Sequence, residues 1–210
     1  PDLSFDQVTA SWHKGFVKRM ENYSSSYTHL MLKKMKQITE AAYIDGIHTN
    51  LFYQSNKFLT TVNVSDKIFL NNDELNMLYD GLNEMSDVHR NATIIFLIGA
   101  YTGQRYGTYS NIDKKMVLYK GNKKMISIRQ LEKTEARVTI PVSDKLMTLL
   151  DMEYHKISLQ KLNTYIKEAC KIVGIKDWEK VTSHTARRSF ATNAVLAGID
   201  IHLIMKITGH

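Results

Sequence analysis

The sequence predicts a mainly helical α+β protein, with a small helical domain followed by a larger domain in which helices accompany a small antiparallel sheet. Two observations support this fold class. Apolar residues recur at helical spacing through most of the 210 residues, and only two prolines and ten glycines interrupt them. Between residues 116 and 141 the apolar spacing shortens to alternation, which is typical of strands.

Residues 1–64 are predicted to form the helical domain. Apolar residues three to five positions apart predict a first helix that ends near Met20. Serines at 24–26 can cap a second helix, which we expect to end at Asp45-Gly46. A third short helix is expected over residues 50–59. The face that the second helix is expected to bury consists of Leu30, Met31, Ile38, Ala41, Ala42 and Ile44.

A polar stretch over residues 60–70 predicts a domain linker, and the second domain is expected to span residues 65–210. Its first helix is capped at residues 71–74, and its most apolar helix, Ala92–Tyr101, stops at Thr102-Gly103. Strands are expected at 116–119, 125–129 and 137–141. Helices are expected at 143–152, 158–174, 184–198 and 200–207.

The charge balance favours a polyanionic partner. Lys and Arg number 28 against 21 Asp and Glu, giving a net charge of +7. Much of this charge lies between residues 114 and 137, which hold eight basic and two acidic side chains. The longest apolar run is about half the 20 residues of a membrane span. A single cysteine, Cys170, excludes an internal disulfide and favours a reducing, cytoplasmic location.

Four short motifs follow one another in the second domain. They are Thr102-Gly103-Gln104-Arg105 after the apolar helix, Lys133-Thr134 between two strands, His184-Thr185-Ala186-Arg187 at a helix start, and Thr208-Gly209-His210. Each alone is common. In this order, and with a V-x-I-P strand after the lysine, the chain resembles the tyrosine recombinases, the phage integrase family. The likeness covers nearly the whole chain, with residues 1–64 similar to the family's helical, SAM-like core-binding domain and 71–210 similar to its catalytic domain.

The resemblance implies a site-specific recombinase or integrase that cleaves and rejoins DNA through a 3′-phosphotyrosyl intermediate. Arg105 and Arg187 would bind the nonbridging phosphate oxygens, since guanidinium is a planar, permanently charged donor. His184 would support the phosphate or exchange a proton with the nucleophile, and His210 would donate to the same phosphate. Lys133 would protonate the leaving 5′ oxygen. Because these cations come from the protein, neither a metal nor another cofactor is expected.

The sequence leaves some assignments open. Lys123 or Lys124 replaces Lys133 as the general acid if the hairpin register differs. The nucleophile is expected beyond His210, since none of the eleven tyrosines matches it; Tyr101, Tyr106 and Tyr109 are assigned to the core or the site wall. We therefore expect this chain to bind DNA without cleaving it. Thr108 stands where the family often has an acidic residue, which predicts altered bracing of the site.

Double-stranded DNA is the expected partner, and the family implies a homotetramer on paired sites, accessory DNA-bending proteins, no membrane and a mobile element such as a transposon or prophage. The residues expected to bind DNA are Lys14, Lys18, Arg19, Lys33, Lys34, Lys36, Lys123, Lys124 and Arg188. Two alternatives are a tyrosine-less DNA-binding regulator or architectural protein of the same fold, and a metal-dependent nuclease using His184, His202 and His210.

Overall fold

The structure, a computed structural model, describes residues 3–61, 66–129 and 137–209. The chain divides into two compact units, Pro1–Asp66 and Lys67–His210. The first is helical, and the second combines helices with one three-stranded antiparallel sheet. The predicted α+β fold class is therefore confirmed. Within the described ranges, none of the helices is both long and apolar enough to span a membrane.

Among the described residues of the first unit are two α-helices, α1 (Ala10–Arg19) and α2 (Ser25–Ile44). As predicted, α2 begins after a serine cap, where the Ser24 hydroxyl accepts the N–H of Tyr27, and ends before Asp45. The prediction of a third helix over residues 50–59 is wrong, because only a short 3-10 turn, Phe52–Gln54, forms there. The side chains of Asn50 and Ser55 accept backbone N–H groups two residues ahead, and such local bonds compete with a helix.

The buried face of α2 also differs from the prediction. Leu30, Ile38 and Ile44 are exposed, with 45%, 62% and 76% of their surface accessible. The residues that α2 buries are Thr28, Leu32, Thr39 and Ala42. Both threonine hydroxyls donate to the carbonyl four residues earlier in the chain, so they enter the core with their hydrogen bonds made. Of the six predicted residues only Ala42 is buried, and Ala41 is exposed like the other three. Hydrophobicity alone therefore selects a face that is largely exposed.

The second unit is built around one helix. Its α-helices are α3 (Asn72–Asp80), α4 (Asp87–Thr102), α5 (Tyr106–Tyr109), α6 (Asp144–Asp151), α7 (Leu159–Ile172), α8 (Ser183–Leu196) and α9 (Ile201–Thr208). The predicted apolar helix is α4, which is buried along most of its length and packs against α6, α7 and α8. Its end at Thr102 is therefore anchored in the core. The sequence pattern does not predict α5, since four residues are too few to show a helical period.

The sheet consists of β1 (Val117–Lys120), β2 (Lys123–Arg129) and β3 (Arg137–Pro141) in the order β1-β2-β3. Val117 pairs with Ile126, and Ile126 pairs with Ile140. All three are buried, so one face of the sheet joins the core as the alternating pattern predicts.

Candidate functional site

The arginine loop, residues 102–105, starts where α4 ends. Gly103 has φ +68° and donates its N–H to the carbonyl of Gly99, which closes the helix. A Cβ at this position would lie 2.4 Å from Cδ1 of Phe190 on α8. Only glycine therefore allows both the left-handed turn and the close approach of α8. The turn places Arg105 at the N-cap of α5, where it is partly buried.

The second arginine comes from α8. His184 lies exposed in the first turn of this helix, and Arg187 follows one turn later with only 8% of its surface accessible. Nη1 of Arg187 donates to the Gly103 carbonyl at 3.0 Å, so the two motifs meet. Burial, and then the positive charge of Arg105, lowers the pKa of Arg187 to about 10. The two guanidinium groups are thus close enough to repel each other. An anion bound between them would offset the free energy of this repulsion.

A cavity of about 680 Å³ opens beside Arg187. Four basic side chains line it, namely Lys67, His184, Arg187 and Arg188. The residues of α9 that line it are Ile201, Ile204, Met205 and Thr208. Burial lowers the pKa of Arg188. The sequence does not single out Lys67 as a site residue, because a lone lysine in a polar stretch belongs to no motif. The cavity therefore has a cationic side that suits a bound phosphate, while its α9 side is largely apolar.

The end of α9 is joined to the arginine loop. Asp200 caps the helix by accepting the N–H groups of His202 and Leu203. At the other end, the Ile207 carbonyl accepts from Nε2 of Gln104 at 2.8 Å. Three of the four sequence motifs therefore converge, namely the arginine loop, the start of α8 and the end of α9.

Not every predicted site residue is placed. Lys133 and His210 lie outside the described residues. Lys123 is exposed near the β1–β2 turn, whereas Nζ of Lys124 lies 3.2 Å from the carboxylate of Asp144. Thr108 is partly buried on α5, and its backbone N–H donates to the Arg105 carbonyl at 2.9 Å.

The three tyrosines around the arginine loop pack into the fold. Tyr109 is fully buried beside Gly99 and donates to the carbonyl of Ser183 at 3.4 Å, and Tyr106 donates to that of Ile157. Burial raises the pKa of Tyr109 and raises that of Tyr101 to about 12. A phenol that resists ionisation is a poor nucleophile, so these side chains suit a structural role.

The first unit exposes its own basic residues. Lys14, Lys18 and Arg19 lie exposed on α1, and Lys14 and Lys18 share a face because they are four residues apart. On α2, Lys33 and Lys34 are exposed and Lys36 is partly buried. These helices therefore present cations to solvent, as phosphate contacts require.

Comparison with known proteins gives consistent results. Residues 68–210 match the model of the phage integrase family. An 88-residue segment is 25% identical to tyrosine recombinase XerC of Thermodesulfovibrio yellowstonii, and the match covers 42% of this chain and 28% of XerC. The chain thus spans only part of this curated relative.

Solved structures share the fold. The Tn1549 transposon integrase in complex with transposon right end DNA has a TM-score of 0.75 at 15% identity, covering all of this chain and 79% of that one. The XerH site-specific recombinase bound to a palindromic difH substrate has a TM-score of 0.69 at 17% identity, covering 95% of this chain and 65% of that one. A lambda integrase dimer bound to a COC′ core site has a TM-score of 0.69 at 18% identity, and the match covers 100% of this chain and 79% of that one. The family match extends over most of the chain and includes the arginine loop, α8 and α9. The chain therefore belongs to the phage integrase family, the tyrosine recombinases.

Proposed function

We propose that this chain is the DNA-binding and catalytic part of a site-specific recombinase that cleaves and rejoins DNA through a 3′-phosphotyrosyl intermediate. The observation that carries the proposal is the closeness of Arg105 and Arg187, with Arg187 bonded to the Gly103 carbonyl of the arginine loop, beside a cavity lined by further cations. Such a pocket suits the transition state of phosphodiester cleavage, in which negative charge grows on the nonbridging oxygens.

Each motif then has a chemical role. Arg105, at the N-cap of α5, and Arg187, on α8, bind the nonbridging oxygens; because the fold places both before the reaction begins, little reorganisation is needed as charge develops. His184, exposed at the cavity, exchanges a proton with the nucleophile or donates to the phosphate. His210 is a second donor. Lys133 protonates the leaving 5′ oxygen.

The nucleophile is proposed to be a tyrosine outside residues 1–210. The hydroxyls of Tyr106 and Tyr109 donate to backbone carbonyls, and burial raises the pKa of Tyr101 to about 12. Attack on phosphorus by a tyrosine supplied from elsewhere would form the phosphotyrosyl ester and release the 5′ oxygen. Reversal of the step reseals the strand without ATP, because the ester keeps the energy of the broken bond. Residues 1–210 alone should bind DNA without cutting it.

The proposed substrate is duplex DNA of a mobile element, such as a transposon or prophage. One protein of the same fold is the Tn1549 transposon integrase, which was solved with transposon right end DNA. Lambda integrase of the same fold forms a tetramer on a Holliday junction, and we propose the same assembly here. Lys14, Lys18, Arg19, Lys33, Lys34 and Lys36 are proposed to bind phosphates, with Lys123, Lys124 and Arg188 in the second unit.

The test uses the full-length protein that contains this chain and a nicked suicide substrate of the element's end. We expect a covalent protein–DNA adduct in the presence of EDTA. Arg187→Ala should slow its formation by about 100-fold or more, the usual cost of losing one transition-state donor. The control is Arg90→Ala. Arg90 lies 12 residues before Thr102 on α4 and so about 18 Å away along the helix axis.

Other outcomes would select the alternatives. Sequence-specific binding with no adduct from the full-length protein would support a DNA-binding regulator. EDTA-sensitive cutting without an adduct would support a metal-dependent nuclease. Equal rates for Arg187→Ala and the unchanged protein would contradict the role assigned to Arg187.

A further inference from the structure

A buried amide lies inside the arginine loop. Gln104 exposes only 1% of its surface. A primary amide costs free energy to bury unless its hydrogen bonds are made, so an apolar residue would fill this space at a lower cost. Nε2 of Gln104 donates to two carbonyls, that of Thr102 at 3.1 Å and that of Ile207 at 2.8 Å. The amide therefore acts through these bonds and not only through its volume.

The two carbonyls belong to two helix ends. Thr102 is the last residue of α4, and Ile207 is the penultimate residue of α9. Carbonyls in the last turn of a helix have no partner within that helix and need one from outside. The Gln104 side chain satisfies one carbonyl of each helix, although the residues it joins on α9 and in the loop are 103 positions apart in the chain.

Both ends carry candidate catalytic groups. Arg105 directly follows Gln104, and Gly209-His210 begins two residues after Ile207. Gly209 has φ +73°, so the chain turns sharply as α9 ends. A movement of the α9 end relative to the arginine loop must stretch or break the bond from Gln104 to Ile207. The position of this turn relative to Arg105 is therefore coupled to one side chain.

We propose that Gln104 is a positioning residue that holds the end of α9 in place relative to Arg105. The inference rests on the proposed function, in which Arg105 and His210, the residue that follows Gly209 in the sequence, act on one phosphate. Gln104 is buried and cannot reach DNA itself, so its loss should slow cleavage without weakening DNA binding. Because a misplacement of 1 Å can cost about 100-fold in rate, we expect a loss of about 10- to 100-fold.

The experiment measures single-turnover adduct formation and DNA affinity with the full-length protein. Gln104→Met keeps the size of the side chain and removes its donors. The matched control is Asn91→Leu, which removes another buried amide of the same unit, one that pins the backbone of His155 to α4. We expect Gln104→Met to slow adduct formation at unchanged affinity, and Asn91→Leu to lower the melting temperature at an unchanged rate.

A double-mutant cycle separates positioning from general loosening of the fold. If Gln104 acts through His210, Gln104→Met should cost less than about 3-fold when His210→Ala is already present. An equal loss in both backgrounds would overturn the inference, as would a Gln104→Met rate equal to that of the unchanged protein. If the unchanged protein itself forms no adduct, both the proposed function and the inference about Gln104 fail. If only Gln104→Met behaves like the unchanged protein, the function stands and the inference fails.

A second variant covers the case in which Gln104→Met does not fold. In Gln104→Glu, the ionised carboxylate faces two carbonyl oxygens and cannot donate, whereas the protonated acid can donate one hydrogen bond. The rate of Gln104→Glu relative to the unchanged protein should therefore rise as the pH falls from 7.5 to 5.5. A relative rate that stays constant over this range would contradict the role of the Gln104 hydrogen bonds.

Discussion

Replacing Gly103 by alanine should destabilise the second unit more than any ordinary glycine replacement. The residue has φ +68°, and the left-handed conformation costs an alanine about 1–2 kcal/mol. The added Cβ would also lie 2.4 Å from Cδ1 of Phe190, far inside van der Waals contact. Forcing apart such a contact costs about 1–3 kcal/mol. The expected total is about 2–5 kcal/mol in the free energy of unfolding.

Two further variants separate these contributions. Gly174 has φ +79°, and no atom lies within 4 Å of the place that a Cβ would take there, so Gly174→Ala should show only the conformational cost. Phe190→Ala removes the ring that the new methyl group would meet. In the presence of Phe190→Ala, Gly103→Ala should therefore cost at least about 1 kcal/mol less than in its absence.

Urea unfolding provides the measurement. The chain has two tryptophans, Trp12 in the first unit and Trp178 in the second. In a Trp12→Phe background, fluorescence therefore reports the second unit alone. Equal costs for Gly103→Ala and Gly174→Ala would refute the close approach of α8 to the arginine loop. Strict additivity of Gly103→Ala and Phe190→Ala would refute it independently.

Three other perturbations test the packing within each unit. The Asn50 side chain donates to two backbone carbonyls at 2.7 and 3.1 Å and accepts one backbone N–H at 2.9 Å. Asn50→Ala removes all three bonds, so it should lower the free energy of unfolding by about 2–3 kcal/mol in a melt followed by Trp12 fluorescence. Ser189→Ala leaves the buried N–H of Leu70 without its acceptor at 2.8 Å; we expect a loss of about 1–3 kcal/mol and faster hydrogen exchange at Leu70. Burial raises the pKa of Cys170 from 9.0 to about 12 and that of Tyr101 from 10.0 to about 12. Because the unfolded chain ionises first, the free energy of unfolding should fall as the pH rises from 9 towards 12, by up to about 1.4 kcal/mol per pH unit for each group. Cys170→Ala should flatten the fall that begins near pH 9 in urea melts, and an unchanged slope would contradict this assignment.

The fold was predictable where the sequence pattern and the packing agree. The run that forms α4 is apolar on every side, and its burial needs no other information. The buried face of α2 was not predictable from hydrophobicity, because Thr28 and Thr39 enter the core only through bonds to nearby backbone carbonyls. The region after Asn50 fails as a helix for a related reason, since short polar side chains satisfy the backbone in turns.

The site was predictable to the extent that side chains carry motifs. Arg105, His184 and Arg187 stand in ordered motifs, and the structure brings the two arginines together. The acceptor that holds Arg187 against the arginine loop is the Gly103 carbonyl, and a backbone group has no signature in the sequence. Lys67 reaches the cavity only because the chain folds back to α8, where Ser189 accepts the N–H of Leu70. Contacts of this kind depend on tertiary structure alone.

The most direct test of the central claim is the chemical identity of the protein–DNA bond. The adduct formed by the full-length protein on a suicide substrate in EDTA would be digested, and the linked peptide and nucleotide identified by mass spectrometry. We predict a tyrosine from outside residues 1–210 joined to a 3′ phosphate, in an amount strongly reduced by Arg105→Ala and by Arg187→Ala. A link to serine, a link to a 5′ phosphate, or a tyrosine adduct that forms equally well without either arginine would contradict the account.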